Sequence, residues 1–158
     1  MLNNVEKQKL ILLARKAVQD SLGGIEIVPE EPARNENGLL QTGGLFVSIK
    51  TKHGGERKLR GCVGLIQSSE PYWKSVPRMA VSAALEDSRF PKLTLDELPN
   101  TEFEISLLTS LQKIENMDLI QPGLHGLVVE QNGNRGLLLP QVASEWNGGG
   151  FRAKSQLG

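Results

Sequence analysis

Leu45-Phe46-Val47-Ser48-Ile49-Lys50-Thr51-Lys52-His53-Gly54-Gly55-Glu56-Arg57-Lys58-Leu59-Arg60-Gly61-Cys62-Val63-Gly64-Leu65-Ile66 is the stretch whose reading decides the fold. Leu45, Val47 and Ile49 alternate with Phe46, Ser48 and Lys50, the two-residue period of a half-buried strand. His53-Gly54-Gly55-Glu56 supplies glycine where a tight reversal needs positive φ. The chain then returns through 58–66, so the spacing predicts a β-hairpin over 44–66. Its register decides which side chains share a face, because a slip of one residue exchanges the faces. A two-residue Gly54-Gly55 loop sets Cys62 opposite Val47 and Arg60 opposite Ile49. A three-residue loop that includes Glu56 sets Cys62 opposite Ser48 and Arg60 opposite Lys50. The second register gathers Leu45, Val47, Ile49, Gly61, Val63 and Leu65 on one face, and is preferred. It also sets two cations across from each other, which calls for an anion or a carboxylate between them.

Upstream of the hairpin, 4–22 has the spacing of an amphipathic helix. Leu10, Leu13, Ala14, Ala17 and Val18 fall on one face, and Asn3 with Glu6 makes a capping pair. Gly23-Gly24 ends it. Residues 23–43 are rich in Pro, Gly, Asn and Glu and read as a long loop, a length that goes with covering a site or with disorder. Downstream, 72–88 predicts a second helix with Val76, Met79, Ala80 and Ala83 buried. Pro77 fits a first turn better than an interior, which places the start near Val76 with Ser75 as cap. Asp87-Ser88-Arg89-Phe90-Pro91 closes that helix. Thr94 with Glu97 forms a capping box for a short turn ended by Pro99. Residues 101–109 alternate as a strand, with Phe103, Ile105 and Leu107 inward and Glu102, Glu104 and Ser106 on the other face. Residues 117–120 predict one helical turn, and Gln121-Pro122-Gly123 a turn. Residues 127–131 and 135–139 predict a second hairpin about Asn132-Gly133. Residues 141–146 open as a helix before Asn147-Gly148-Gly149-Gly150 and a polar tail. This order predicts an α+β fold: a mainly antiparallel sheet of about five strands with helices packed against it.

Composition narrows the function classes. The 158 residues suit one domain, 39% hydrophobic and 23% charged, which is globular rather than disordered. Lys plus Arg is 18 and Asp plus Glu is 18. That balance gives no electrostatic case for tight, non-specific binding to nucleic acid, and leaves only a local basic patch for it. One cysteine forms no internal disulfide, which makes the cytosol the expected compartment, or the nucleus in a eukaryote. One cysteine with two histidines is also short of a structural zinc site. The N-terminal residues carry no signal-peptide pattern, and no apolar run approaches a membrane span.

Six segments in order carry a family resemblance. They are Leu59-Arg60-Gly61-Cys62-Val63-Gly64, Ala80-Val81-Ser82-Ala83-Ala84 running into Asp87-Ser88-Arg89-Phe90-Pro91, Leu95-Asp96-Glu97-Leu98-Pro99, Glu104-Ile105-Ser106-Leu107-Leu108-Thr109, Gly123-Leu124-His125-Gly126-Leu127, and Arg135-Gly136-Leu137-Leu138-Leu139-Pro140-Gln141-Val142. In this order and spacing the chain resembles the AMMECR family over roughly residues 5–146, as a single domain. The resemblance implies an α+β fold with a mostly antiparallel sheet and no settled activity. It also implies association with a Memo-type protein and a radical-SAM protein, and so a place in a modification pathway acting on a small molecule or RNA. After Val142 the chain departs from the family pattern, and 147–158 read as a truncated or disordered end.

The candidate chemistry sits on few residues. Cys62 is a candidate nucleophile or redox thiol if positive charge stabilises its thiolate; otherwise it packs as a small strand residue. Arg60, inside a strand, needs a partner: a ligand phosphate or carboxylate, or Glu104 on a neighbouring strand. Lys50 belongs with them. Asp87 and Arg89 either line a cleft or fix the Phe90-Pro91 turn. His125, flanked by glycines at a strand entry, is a candidate general base or metal ligand that could complete a triad with Cys62 and Asp87, or a turn histidine bonded to backbone. No metal set is indicated, and the sequence leaves any cofactor open. Two functions follow. One is a pathway component that binds a small anionic ligand, a nucleotide or RNA at Arg60, Glu104, Lys50, Asp87 and Arg89. The other is a non-catalytic adaptor that docks a protein through the surface around 23–43. A polar pocket at Arg60 favours the first, and an apolar patch the second.

Overall fold

Asn3 caps the first helix as its sequence predicts. Its Oδ1 accepts from the Glu6 N–H at 2.9 Å, and the Asn3 N–H donates to Glu6 Oε2 at 2.9 Å. The structure is a computed structural model of the chain, and it describes residues 2–121 and 123–140. The helix α1 (Asn4–Leu22) buries Leu10, Ala14, Ala17 and Val18 on one stripe. Glu6 is buried too, and its Oε1 accepts the Gly38 N–H at 2.8 Å. One carboxylate thus caps α1 and pins the far end of the long loop. A Cβ at Gly38 would lie 2.5 Å from Glu6 Oε2, so a side chain there would push the Glu6 carboxylate off this bond.

The hairpin forms from β1 (Leu45–His53) and β2 (Glu56–Leu65). Its tip is the two-residue loop, with Gly54 and Gly55 at φ 58° and 84°. His53 pairs with Glu56 and Lys50 with Leu59, but Ile49 pairs with Gly61 and Ser48 with Cys62. A bulge absorbs Arg60 as one extra residue. The expected choice between two registers is therefore corrected: the short-loop register holds at the tip, and the other holds from Gly61 onward. Arg60 does not face Lys50, because the bulge leaves it opposite no residue and turns it off the ladder.

The strand β3 (Thr101–Leu107) pairs antiparallel with β1, giving the order β2-β1-β3. Leu45, Val47, Ile49 and Phe103 are buried on one face of this sheet. The helix α2 (Tyr72–Leu85) lies against that face, with Val76, Met79, Ala80, Ala83 and Ala84 buried. Gly61 permits the approach, since a Cβ at that position would lie 2.1 Å from the Ala83 carbonyl oxygen. The expected start near Val76 is corrected. The helix begins at Tyr72, Pro71 stands at its N-cap, and Pro77 lies within it. Tertiary contacts outweigh the proline there. The Tyr72 N–H donates to Gln41 O at 2.9 Å and the Trp73 N–H to Leu39 O at 3.2 Å, so the loop's end satisfies the first turn. Leu98–Asn100 form one 3-10 turn that runs through Pro99 instead of stopping at it.

The described residues from Gln112 onward belong to a second compact unit. Its described part holds a 3-10 turn at Met117–Leu119 and the hairpin of β4 (Leu127–Gln131) and β5 (Asn134–Leu138). Asn132 and Gly133 at φ 51° and 78° make the turn that Asn-Gly signals. The α+β class holds, and the expected about five strands are five among the described residues, divided between two antiparallel sheets of three and two. The helix expected over 141–146 and the tail reading of 147–158 lie outside the described residues. Among the described residues, no helix is long and apolar enough to cross a membrane.

Candidate functional site

The register aligns Cys62 of β2, Ser48 of β1 and Glu104 of β3 in one row across the three strands. This row lies on the sheet face turned away from the helices. The Ser48 hydroxyl donates to Cys62 Sγ at 3.1 Å. One step along β1, Lys50 Nζ pairs with Glu104 Oε2 at 3.0 Å. All four side chains are half-buried rather than fully solvated. Gly64 completes the floor: Phe46 lies over it so closely that a Cβ there would come within 2.4 Å of the ring. Glu102 sits with Lys52 at 3.0 Å and Arg57 at 3.2 Å, and the Lys52 bond, with the charges of Arg57, Lys52 and Lys50, lowers its pKa.

Asp87 and Arg89 meet Cys62 through its backbone. The Cys62 N–H donates to Asp87 Oδ2 at 2.9 Å, and Arg89 Nη2 donates to the Cys62 carbonyl at 3.4 Å. The pair thus bonds the open edge of β2 as a neighbouring strand would, which leaves that edge capped at the cysteine. Arg89 in turn grips Asp87 through Nε at 3.0 Å and Nη2 at 2.7 Å. This guanidinium, helped by the Cys62 amide, holds the Asp87 carboxyl at about 2 against the opposing effect of burial. Arg89 itself is raised, chiefly by Asp87 and to a smaller degree by the charge that Cys62 would carry as thiolate. Nη1 of Arg89 makes no hydrogen bond to the described residues, and the side chain is 57% exposed. Asp87 is not free to orient a histidine in a triad, since both its oxygens are occupied by Arg89 and the Cys62 amide.

Arg60 has a different partner from the one expected. Its Nε and Nη2 bind the two oxygens of Glu97 at 3.0 and 3.1 Å, and Nη1 and Nη2 donate to the carbonyls of Pro91 and Lys92 at 2.8 and 3.3 Å. Glu104 belongs to Lys50 instead. The reason is the bulge, which aims Arg60 off the sheet edge toward 91–97. The guanidinium lowers the Glu97 pKa, and Thr94 adds to that through its N–H and hydroxyl. Sequence reasoning saw Glu97 only as a capping partner of Thr94 and gave Ser48 no role. A signal for Ser48 was present, because the preferred register already set it opposite Cys62. Nothing at sequence level marked Glu97 as the anchor of Arg60.

His125 lies in the second unit, where its Nδ1 accepts the Gln121 N–H at 3.2 Å and its own N–H donates to Gln121 O at 2.9 Å. That is the turn-histidine geometry, with Nδ1 occupied as an acceptor. Among the described residues, no three His, Cys, Asp or Glu side chains come together as a metal ion would require.

Comparison with known proteins adds the following. The model of the family described as AMMECR1 matches residues 11–157. A protein of Pyrobaculum islandicum is 39% identical over 142 residues, covering 86% of this chain and 63% of the relative. One from Nanoarchaeum equitans is 37% identical over 142 residues, covering 86% of this chain and 76% of the relative. The chain thus spans less than two thirds of the first of these. The crystal structure of an uncharacterized protein from Pyrococcus horikoshii superimposes with a TM-score of 0.83 at 33% identity, over 92% of this chain and 74% of that one.

Proposed function

The chain belongs to the AMMECR1 family, and from that premise we propose that it binds a small anionic ligand, a nucleotide or an RNA end on the polar face of the three-stranded sheet, as a component of a modification pathway. The observation that carries this reading is the row of Cys62, Ser48 and Glu104 with Lys50 beside it, flanked by the unoccupied Nη1 of Arg89. The groups of the row pair with one another, Ser48 with Cys62 and Lys50 with Glu104, which holds them in a fixed arrangement on the sheet face. A guanidinium with one free nitrogen beside a thiol offers a phosphate or carboxylate a charge-assisted contact. Lys50 and Arg89 recognise the anion, Ser48 orients it through its hydroxyl, Glu104 holds Lys50 in place, and Cys62 is the candidate group that reacts. Asp87 positions Arg89 and the Cys62 backbone. Arg60 enters this reading as support, holding 91–97 against the edge of β2. His125 is kept as a candidate base, to be tested separately.

The test is a thermal-shift panel of phosphates, nucleotides and short RNA on the wild type and on Arg89→Ala, Lys50→Ala and Cys62→Ser. A stabilising ligand whose effect is lost in Arg89→Ala supports the reading. No shift with any of these ligands overturns it. Full function in Cys62→Ser removes the thiol from the chemistry, and full function in His125→Ala removes the base. Co-purification with a Memo-type or radical-SAM protein tests the pathway assignment.

A second reading, a non-catalytic adaptor, has its own observation. Among the described residues, the donors of Arg60 are taken up by Glu97 and the carbonyls of Pro91 and Lys92. An open groove is lined by Ile27 and Pro29 of the long loop and by Trp73, Lys74, Pro77 and Val81 of α2. A pull-down that yields a stable protein partner, lost when Val81 is made charged, supports this reading; ligand binding with no partner counts against it.

A further inference from the structure

Phe46 stands on the polar face of the three-stranded sheet, in line with Ser48, Lys50 and Lys52 of the same strand. Its neighbours Leu45 and Val47 are fully buried on the opposite face. Phe46 itself is half-buried, and it belongs neither to the hydrophobic core nor to the partly buried side chains packed against that core. Core packing therefore does not account for an aromatic ring at this position.

Across the sheet Phe46 pairs with Gly64 of β2 and Ser106 of β3. Its ring lies over Gly64, where a Cβ would come within 2.4 and 2.5 Å of the ring atoms Cγ and Cδ1. Glycine thus lets the ring settle onto the strand, which gives the polar face a flat apolar surface of fixed position. One two-residue step along both strands, about 7 Å away, is the row of Ser48 and Cys62. Beside Cys62 stands Arg89, whose Nη2 donates to the Cys62 carbonyl at 3.4 Å. Arg89 is held from two further sides, by Asp87 at 2.7 Å and by the Phe90 ring, whose centroid lies 5.4 Å from Cζ. A π-surface and an oriented guanidinium therefore flank neighbouring rows of one sheet face.

We propose that Phe46 on Gly64 is a stacking platform and that the ligand of this site is a nucleoside phosphate, with its base on the Phe46 ring and its phosphate on Arg89. The inference rests on the anion-site reading and narrows it from anions in general to those that carry a base. Aromatic side chains on the open face of a sheet hold unstacked bases in this way, and the stacking tolerates any base because each has a π-face. It also suits a chain with 18 basic and 18 acidic residues, because stacking does not draw on net charge. Inorganic phosphate uses only the Arg89 half of such a site.

Equilibrium titrations of the full chain with AMP and with inorganic phosphate, in the wild type, Phe46→Leu and Phe46→Trp, test the platform. Leucine keeps an apolar cover over Gly64 and removes the π-surface, whereas tryptophan enlarges it. AMP is expected to bind the wild type more tightly than inorganic phosphate does, and to bind Phe46→Leu about 5–150-fold more weakly, the range for one stacked base. Affinity for inorganic phosphate should be the same in all three proteins. Phe46→Trp is expected to retain AMP binding and to show indole fluorescence quenched by AMP beyond that of the wild type, a signature that a ring of purely structural role does not give. A 5′-phosphorylated trinucleotide RNA that binds more tightly than AMP assigns the base to an RNA end, and equal affinity assigns it to a free nucleotide; both outcomes support the platform. AMP bound no more tightly than inorganic phosphate, with the same affinity in Phe46→Leu and no added quenching in Phe46→Trp, overturns the platform and leaves the anion site standing. Absence of binding by every one of these ligands overturns the anion-site reading with it.

Discussion

Asp87 shows what a single side chain contributes here. Its carboxyl titrates at about 2 in the folded chain against 3.8 for the free group, with Arg89 as the main cause and the Cys62 amide assisting. A depressed carboxylate stabilises the fold at every pH above its unfolded value, and that contribution disappears as the pH falls from about 4 through about 2. The side chain is only 6% exposed, so little of the effect is lost to solvent. Asp87→Asn is accordingly expected to cost about 1–2 kcal/mol at pH 7 and almost nothing near pH 2. Urea midpoints measured from pH 7 to pH 2 check this; a loss that persists undiminished at pH 2 would show that packing, not charge, carries the residue. Gly61 makes a steric argument at the same scale. Gly61→Ala must displace the Ala83 carbonyl of α2, which a Cβ would approach to 2.1 Å, and is expected to cost about 2–3 kcal/mol. Gly136, where an added Cβ meets nothing, serves as the tolerant comparison in the same denaturation series.

At the scale of elements, the β1–β2 hairpin explains both what the sequence discloses and what it conceals. Alternation in Leu45, Val47 and Ile49 is a local property, so the strands and their buried face can be read from the residues alone. The glycine turns of both hairpins are legible for the same reason. The bulge at Arg60 is not, because it depends on where Arg60 finds acceptors, and those lie more than thirty residues away at Pro91, Lys92 and Glu97. The start of α2 fails in the same way. Pro77 argues locally for a later start, and the distant carbonyls of Leu39 and Gln41 overrule it. Arg60 therefore acts as a staple between β2 and the 91–97 segment. Arg60→Lys keeps the charge but cannot reproduce a two-pronged grip on Glu97 together with two carbonyls. It is expected to cost about 1–3 kcal/mol, with faster amide exchange at Thr94 and Glu97, whose turn the Glu97 carboxylate closes. Unchanged exchange there would mean that the Thr94–Glu97 turn stands without the staple.

Across the whole molecule, burial is distributed unevenly, and stability should follow it. Every buried side chain among the described residues lies between Leu2 and Phe103, and none lies in the described part of 112–140. The first unit has a contiguous core in which α1, α2, β1 and β3 all take part. The second unit offers a two-stranded hairpin, an element that is marginal in water by itself. The candidate site divides along the same line: Cys62, Ser48, Lys50, Glu104, Asp87 and Arg89 rest on the strongly buried unit, and His125 on the other. Only part of that division was legible, since hydrophobic periodicity marks β4 and β5 as strands but not how deeply either is covered. Hydrogen exchange can measure it. Amides of Val47 and Ile49, central in a sheet with both neighbours paired, are expected to open only with global unfolding. Those of Val128, Val129 and Leu137 are expected to exchange at least a hundredfold faster by local opening, and to depend much less on denaturant. Glu6→Gln provides the crossed control. It weakens the link from α1 to Gly38 and is expected to lower the melting temperature by about 2–6 °C, the shift for a loss of about 1–2 kcal/mol in a chain of this size. It should then speed exchange at Val47 and Ile49 and leave β4 and β5 unchanged. Equal protection of the two sheets, or an equal change of both in Glu6→Gln, would instead make the chain one cooperative unit in which His125 is held as firmly as Cys62.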